Sequence, residues 1–140
     1  MNAFVVDENS LYFYRCNLVR VVDGDTVRVD IDLGCDVWLR NESIRLYGIN
    51  APELRRHDPA GEHAKDYLSG LLSLAPTRLT QAKANPKKNP KKIGGGQLYI
   101  ETHKDRRGKY GRYLGTFFLD GVNINQAMVD AGYAEEITER

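Results

Sequence analysis

Residues 26–33 read Thr26-Val27-Arg28-Val29-Asp30-Ile31-Asp32-Leu33. Successive side chains of an extended strand point to opposite sides, so Val27, Val29, Ile31 and Leu33 fall on one face and Arg28, Asp30 and Asp32 on the other. This is the pattern of a half-buried antiparallel strand. Upstream, residues 11–22 alternate and are rich in Tyr, Phe and Val, and Asp23-Gly24 supplies a turn between the two strands. Downstream, a turn near Gly34 leads into a third strand that ends in Ser43-Ile44-Arg45-Leu46-Tyr47-Gly48-Ile49 and is stopped by Pro52.

Beyond this meander the period changes. Between residues 59 and 75, Ala64, Tyr67, Leu68, Leu71 and Leu72 recur at helical spacing, which predicts an amphipathic helix of about four turns ending before Pro76. Residues 97–102 and 112–119 read as two more strands. Asp120-Gly121 joins the second to a short helix over 123–131, with Gly132 as its stop. Three strands, a helix, two strands and a helix are the order of an OB-type barrel, whose open face receives single-stranded nucleic acid or oligosaccharide. The expected fold is α+β, mainly β: a five-stranded OB-fold β-barrel with two packed helices. A chain of 140 residues fits one such core, so residues 1–140 are expected to form a single domain with its core at about 11–135.

The 20 basic and 19 acidic residues nearly cancel, which disfavours a uniformly basic histone-like binder and an acidic tail protein alike. By region the balance is different. Residues 78–112 hold eleven basic residues against Glu101 and Asp105, a net +9, and the rest of the chain carries −8. The positive lobe of such a dipole draws polyanions over about a Debye length, roughly 10 Å at moderate salt, and nucleic acid is the natural partner. The alternative is that the lysines are simply solvated. Within this region Asn85-Pro86-Lys87-Lys88 is followed directly by Asn89-Pro90-Lys91-Lys92, and Gly94-Gly95-Gly96 closes the repeat. Such a composition suits neither a helix interior nor a central strand, so residues 83–96 are expected to be a flexible basic loop.

Other classes are disfavoured. No run approaches the roughly 18 apolar residues of a membrane helix, and the first ten residues, MNAFVVDENS, lack the basic, apolar character of an export signal. A cytoplasmic or mobile-element-encoded monomer is expected. On the same ground two reduced thiols are favoured over a disulfide for Cys16 and Cys35. His57, His63 and His103 show no zinc-binding spacing.

Three polar clusters sit at strand ends. In Val22-Asp23-Gly24-Asp25-Thr26, two acids across a glycine could present a carboxylate to a hard cation, or form only a capped hairpin turn. In Ile44-Arg45-Leu46-Tyr47-Gly48-Ile49-Asn50-Ala51-Pro52-Glu53, a strand arginine needs an anion for its fork of donors; a phosphate or the glutamate beyond the proline would serve. In Asp105-Arg106-Arg107-Gly108-Lys109-Tyr110-Gly111-Arg112, glycines admit close approach of a phosphate, Lys109 and Arg112 supply charge, and Tyr110 can stack or donate. A basic hairpin turn is the alternative.

Taken in order, and with Asp-Gly-Val-Asn-Ile-Asn-Gln-Ala-Met-Val following, these clusters closely resemble the staphylococcal nuclease (thermonuclease) family over about residues 15–135. The resemblance implies calcium-dependent hydrolysis of phosphodiester bonds in DNA and RNA, leaving 3′-phosphates, with single-stranded or flexible substrates preferred. It places Asp25 as the first carboxylate ligand of one calcium ion, Asp23 in the metal's outer surroundings, and the backbone carbonyl of Ala51 among the ligands. Arg45 and Arg112 match the pair that grips the scissile phosphate, Glu53 the residue that activates water, and Lys109 and Tyr110 the phosphate- and nucleotide-contacting pair.

The chain departs from the family pattern in three places. Asn50 stands where a second calcium carboxylate is expected, so a working site with looser metal affinity is predicted. The loop after Glu53 is short, and the tandem repeat appears instead on the far side of the helix, where Lys87, Lys88, Lys91 and Lys92 are candidate substrate-capturing residues. The chain has no counterpart of the family's downstream nucleotide-contacting tyrosine. The competing expectations are a catalytically weak or inactive OB-fold nucleic-acid-binding domain and, further off, an interaction domain whose Asp and Arg clusters are structural ion pairs. Asp25, Arg45, Glu53 and Arg112 together favour catalysis, since a binding-only domain needs no carboxylate beside a phosphate.

Overall fold

The computed structural model describes residues 11–83, 96–104 and 113–137. Strands β1 (Phe13–Asp23), β2 (Thr26–Gly34) and β3 (Val37–Leu46) form the antiparallel meander. After β4 (Ile49–Asn50) come helices α1 (Ala60–Leu71) and α2 (Arg78–Lys83), then strands β5 (Leu98–His103) and β6 (Tyr113–Leu119). The short β7 (Val122–Asn123), helix α3 (Ile124–Asp130) and β8 (Glu135–Glu136) follow. Strand β5 pairs antiparallel with β1 and β6, and β6 returns to pair parallel with β3. That last ladder, Ile44 opposite Tyr113 and Arg45 opposite Leu114, closes β1, β2, β3, β6 and β5 into the expected five-stranded barrel.

The barrel is filled by the predicted alternation, with one exception at each face of β2. Val27, Val29 and Ile31 are buried beside Ile44, Leu46, Leu98, Ile100 and Phe117. Leu33 is exposed, because the strand has by then reached the hairpin tip at Gly34, Cys35 and Asp36, all with positive φ. Asp30, expected on the solvent face, is fully buried. Arg78 of α2 grips it with two bonds of 2.5 and 2.7 Å, and Arg40 and the Asn41 amide add contacts at 3.3 and 2.9 Å. The Arg78 contact, ahead of the opposing burial, holds the Asp30 carboxyl below its ordinary range. Behind it Cys16 is a buried free thiol, pushed far up by burial and then by the Asp30 charge; Cys35 is free and exposed.

Helix α1 is shorter than the predicted four turns, since residues 72–74 form turns before Pro76. It buries Gly61, Ala64 and Leu68, and Tyr67 stacks on Tyr133 at 4.5 Å. Helix α3 starts where expected: the Asn123 side chain accepts the Gln126 amide at 3.0 Å, and Gly132, with φ of 83°, terminates it. Helix α2 is additional to the two expected. Thr77 and Thr80 cap it reciprocally, each side chain bonding the other's amide, at 2.7 and 3.3 Å. The third strand also ends earlier than expected. Gly48, at φ of 77°, breaks it after Leu46, and Ile49 and Asn50 pair instead with Glu136 and Glu135. The predicted basic loop lies almost entirely outside the described residues.

Candidate active site

The site grows from the β1–β2 turn. Asp23 stands opposite Thr26 across it, and the Asp23 carboxylate accepts the Asp25 amide at 3.0 Å, as in an Asx turn. Gly24 is required here for room: a Cβ would meet those of Ala64 and Ala51 at 2.6 and 2.8 Å. The turn is thereby seated between α1 and the loop after β4. Its second residue, Asp25, is only 5% exposed. The Asp25 carbonyl accepts the Leu46 amide at 2.7 Å, which ties the turn to the end of β3.

Each Asp25 oxygen has its own neighbours. Oδ1 accepts the Thr26 hydroxyl at 3.1 Å, while Oδ2 accepts the Ala51 amide at 3.0 Å and lies 3.4 Å from Arg45 Nη2. The same Nη2 donates to Asn50 Oδ1 at 2.8 Å. An oxygen from the β1–β2 turn and one from β4 thus converge on a single cationic nitrogen. Burial, reinforced by the neighbouring Asp25 carboxylate, pushes the Asp23 carboxyl above its ordinary range.

Arg45 is sandwiched between Thr26 on β2 and Leu114 on β6. Its Nε is buried and has no hydrogen-bond partner among the described residues. Asn125 holds this corner together: its Nδ2 donates to the carbonyls of Tyr47 and Gly115 at 2.9 and 3.0 Å, and its Oδ1 accepts the Phe117 amide at 3.1 Å. Nearby, His103 stacks on Tyr47 at 3.8 Å and shares a 2.9 Å bond with Thr116; burial, outweighing Glu101, lowers its pKa.

Glu53 is not drawn into this cluster. Its side chain is 81% exposed on the loop before α1, with Arg55 Nη2 at 3.7 Å. The adjoining cleft is lined by Leu54, Arg55, Arg56, Glu62, Lys65 and Asp66, a mixture of signs with no strong bias towards an anion. Arg112, Lys109, Tyr110, Lys87, Lys88, Lys91 and Lys92 lie outside the described residues. Arg112 directly precedes Tyr113, which stands opposite Ile44, the neighbour of Arg45. The structure therefore brings together Asp23, Asp25, Arg45, Asn50 and Ala51, and sets Glu53 on an adjoining loop. Sequence reasoning reads Gly24 only as a turn residue and assigns no role to the Thr26 hydroxyl or to Asn125.

As to a metal, no cluster of three or more His, Cys, Asp and Glu side chains suited to one occurs among the described residues. The available set is the Asp25 carboxylate, the Asn50 amide oxygen and the Ala51 carbonyl, with Asp23 further out. All are oxygen donors, as a hard cation such as calcium requires, and Asp25 and Asn50 already converge on one positive group. The residues fit a calcium ion held with reduced ligand charge.

Residues 43–140 match the family described as staphylococcal nuclease homologue. An uncharacterised protein of Methanocaldococcus jannaschii is 28% identical over 92% of this chain and 61% of its own length. The SPbeta prophage-derived endonuclease YokF of Bacillus subtilis is 29% identical over 84% of this chain and 32% of its own. An uncharacterised endonuclease of Escherichia coli O157:H7 is 32% identical over 84% of this chain and 57% of its own. The chain thus spans between a third and three fifths of the length of these curated relatives.

Proposed function

The chain belongs to the staphylococcal nuclease homologue family, and on that premise we propose that it is a calcium-dependent nuclease hydrolysing phosphodiester bonds of DNA and RNA. The observation that carries this reading is Arg45. Its guanidinium is fixed on one edge by Asp25 and Asn50, while its buried Nε has no acceptor among the described residues. A buried donor left unpaired costs about 1–3 kcal/mol, and a phosphate oxygen is the partner that a guanidinium fork suits best. The endonuclease names of two relatives support the same chemistry.

Attack of water on phosphorus adds negative charge to the phosphoryl oxygens in the transition state. Arg45, together with Arg112, which directly precedes Tyr113 in the chain, stabilises that charge where it develops. Glu53, held in water-accessible space, accepts the proton of the attacking water. Asp25, Asn50 and the Ala51 carbonyl would hold the calcium ion, with Asp23 in its outer surroundings. When bound, such an ion would supply further positive charge against the negative charge of the transition state. The leaving group is the 5′-oxygen, giving a 3′-phosphate, by resemblance to the family. Lys109 and Tyr110 contact the flanking nucleotide and the four lysines of the tandem repeat capture the strand. Contacts centred on phosphate carry little sequence information, so preference among sequences is weak and affinity falls steeply with salt.

Purified protein with single-stranded DNA and calcium should cleave, and a chelator should stop it. Glu53→Gln should lower turnover by about 10²-fold or more while binding persists. Binding by the wild-type chain without cleavage would place it instead among non-catalytic nucleic-acid-binding modules.

A further inference from the structure

Helix α1 touches both loops that carry the proposed chemistry, and it does so through two small residues, Gly61 and Ala64. A Cβ on Gly61 would stand 2.1 Å from the carbonyl oxygen of Glu53, 2.5 Å from its carbonyl carbon and 2.8 Å from Cα of Leu54. Three residues on, the Ala64 Cβ lies 2.6 Å from the place a Cβ on Gly24 would take. Gly61 is helical, so the left-handed region is not what selects it. A glycine in a helix forfeits about 1 kcal/mol against alanine, and here the space explains the choice.

Little else fixes Glu53. Its carboxylate is 81% exposed, and the Arg55 guanidinium 3.7 Å away is 70% exposed, a pairing that restrains a side chain weakly. What locates the carboxylate is its own backbone, and that backbone lies against Gly61, a helix position with no side chain. We propose that Gly61 is a positioning residue for catalysis: it lets the Glu53 main chain pack directly on α1, the same helix whose Ala64 seats the Asp23–Asp25 turn. The inference rests on Glu53 accepting the proton of the attacking water. Helix α1 then acts as a common reference that sets the base against the phosphate-gripping cluster.

An alanine at position 61 must open the 2.1 Å contact to at least the 3.0 Å that Cβ atoms tolerate, a displacement of about 1 Å. The loop at Glu53 and Leu54 is exposed and can yield, so the barrel should still melt cooperatively. Misplacement of a reacting group by about 1 Å costs up to about 10²-fold in rate. Gly61→Ala should therefore lower kcat by about 10- to 100-fold, with KM and DNA affinity within about twofold of wild type.

Gly70 lies in the same helix with no atom within 4 Å of a Cβ, so Gly70→Ala should stabilise α1 and leave kcat unchanged. It serves as the control, and as the background for Gly61→Ala if stability falls. The deciding measurement is a double-mutant cycle. In a Glu53→Gln background, Gly61→Ala should change the residual kcat by less than about threefold, because the group it misplaces is already disabled. Unchanged kcat in Gly61→Ala, multiplicative losses in the cycle, or loss of the cooperative melt even with Gly70→Ala present would each overturn the proposal. Full turnover by Glu53→Gln alone would instead remove the reading of Glu53 on which it stands.

Discussion

Asn50, in the proposed calcium site, brings an oxygen donor without a carboxylate's charge. Its oxygen sits 2.8 Å from Arg45 Nη2, and β8 holds its backbone opposite Glu135, so its position is fixed while its electrostatic pull is weak. Restoring the missing charge with Asn50→Asp should tighten the calcium concentration for half-maximal activity by about tenfold, as ligand charge does at oxygen sites. A calcium titration of cleavage reads this directly, and unchanged or weaker affinity would contradict the account. At this scale the sequence was informative about kinds of residue: Asp25, Arg45 and Asn50 are flagged by their place in short motifs at strand ends. It was silent about partners. Nothing in the alternation of β2 tells that Asp30 will be covered by an arginine 48 residues away, or that Asn125 will bridge the Tyr47 turn and β6.

Among the elements, the long periodic ones were legible because period, turn residues and caps agree. Strands β1, β2, β5 and β6 and helices α1 and α3 follow their patterns to within a few residues. The ribbon of β4 with β8 was not, since two-residue strands have no period and exist only when distant segments meet. Helix α2 escaped for a similar reason: six residues give no amphipathic repeat, and its anchor is the Arg78 grip on Asp30, 48 residues away. That anchor can be tested. Because the Asp30 pKa is depressed by folding, its contribution is fully present above the ordinary carboxylate value of 3.8 and is lost as pH falls below it. Asp30→Ala should destabilise the neutral protein by about 2 kcal/mol, leaving the donors of Arg78, Arg40 and Asn41 to solvent. It should also remove part of the acid-induced loss of stability below that pH. Urea unfolding midpoints of both proteins across pH 3–7 measure both effects, and parallel pH profiles would refute the assignment.

For the molecule as a whole, a net charge of +1 conceals a basic region at 78–112 against an acidic remainder. The acidic share includes Asp23 and Asp25, which share the β1–β2 turn, with Asp25 3.4 Å from Arg45. Deleting residues 85–92 removes four lysines, and should raise KM and flatten its dependence on salt while leaving kcat unaltered. Kinetics in 50 and 200 mM salt check this; an unaltered KM would assign those lysines to solubility alone.

The parallel pairing of β3 with β6 carries one more consequence, for when activity arises. Ile44 and Tyr113 are far apart in the chain, and a contact of such separation forms late, since loop-closure entropy must be met before the pairing rewards it. A chain synthesised only to Lys104 already contains Asp25, Arg45 and Glu53 but lacks the strand that completes the ring. Nascent and partly folded molecules therefore hold Asp25, Arg45 and Glu53 without the wall that aligns them, and on the proposed function competence to cut should arrive together with closure of the barrel.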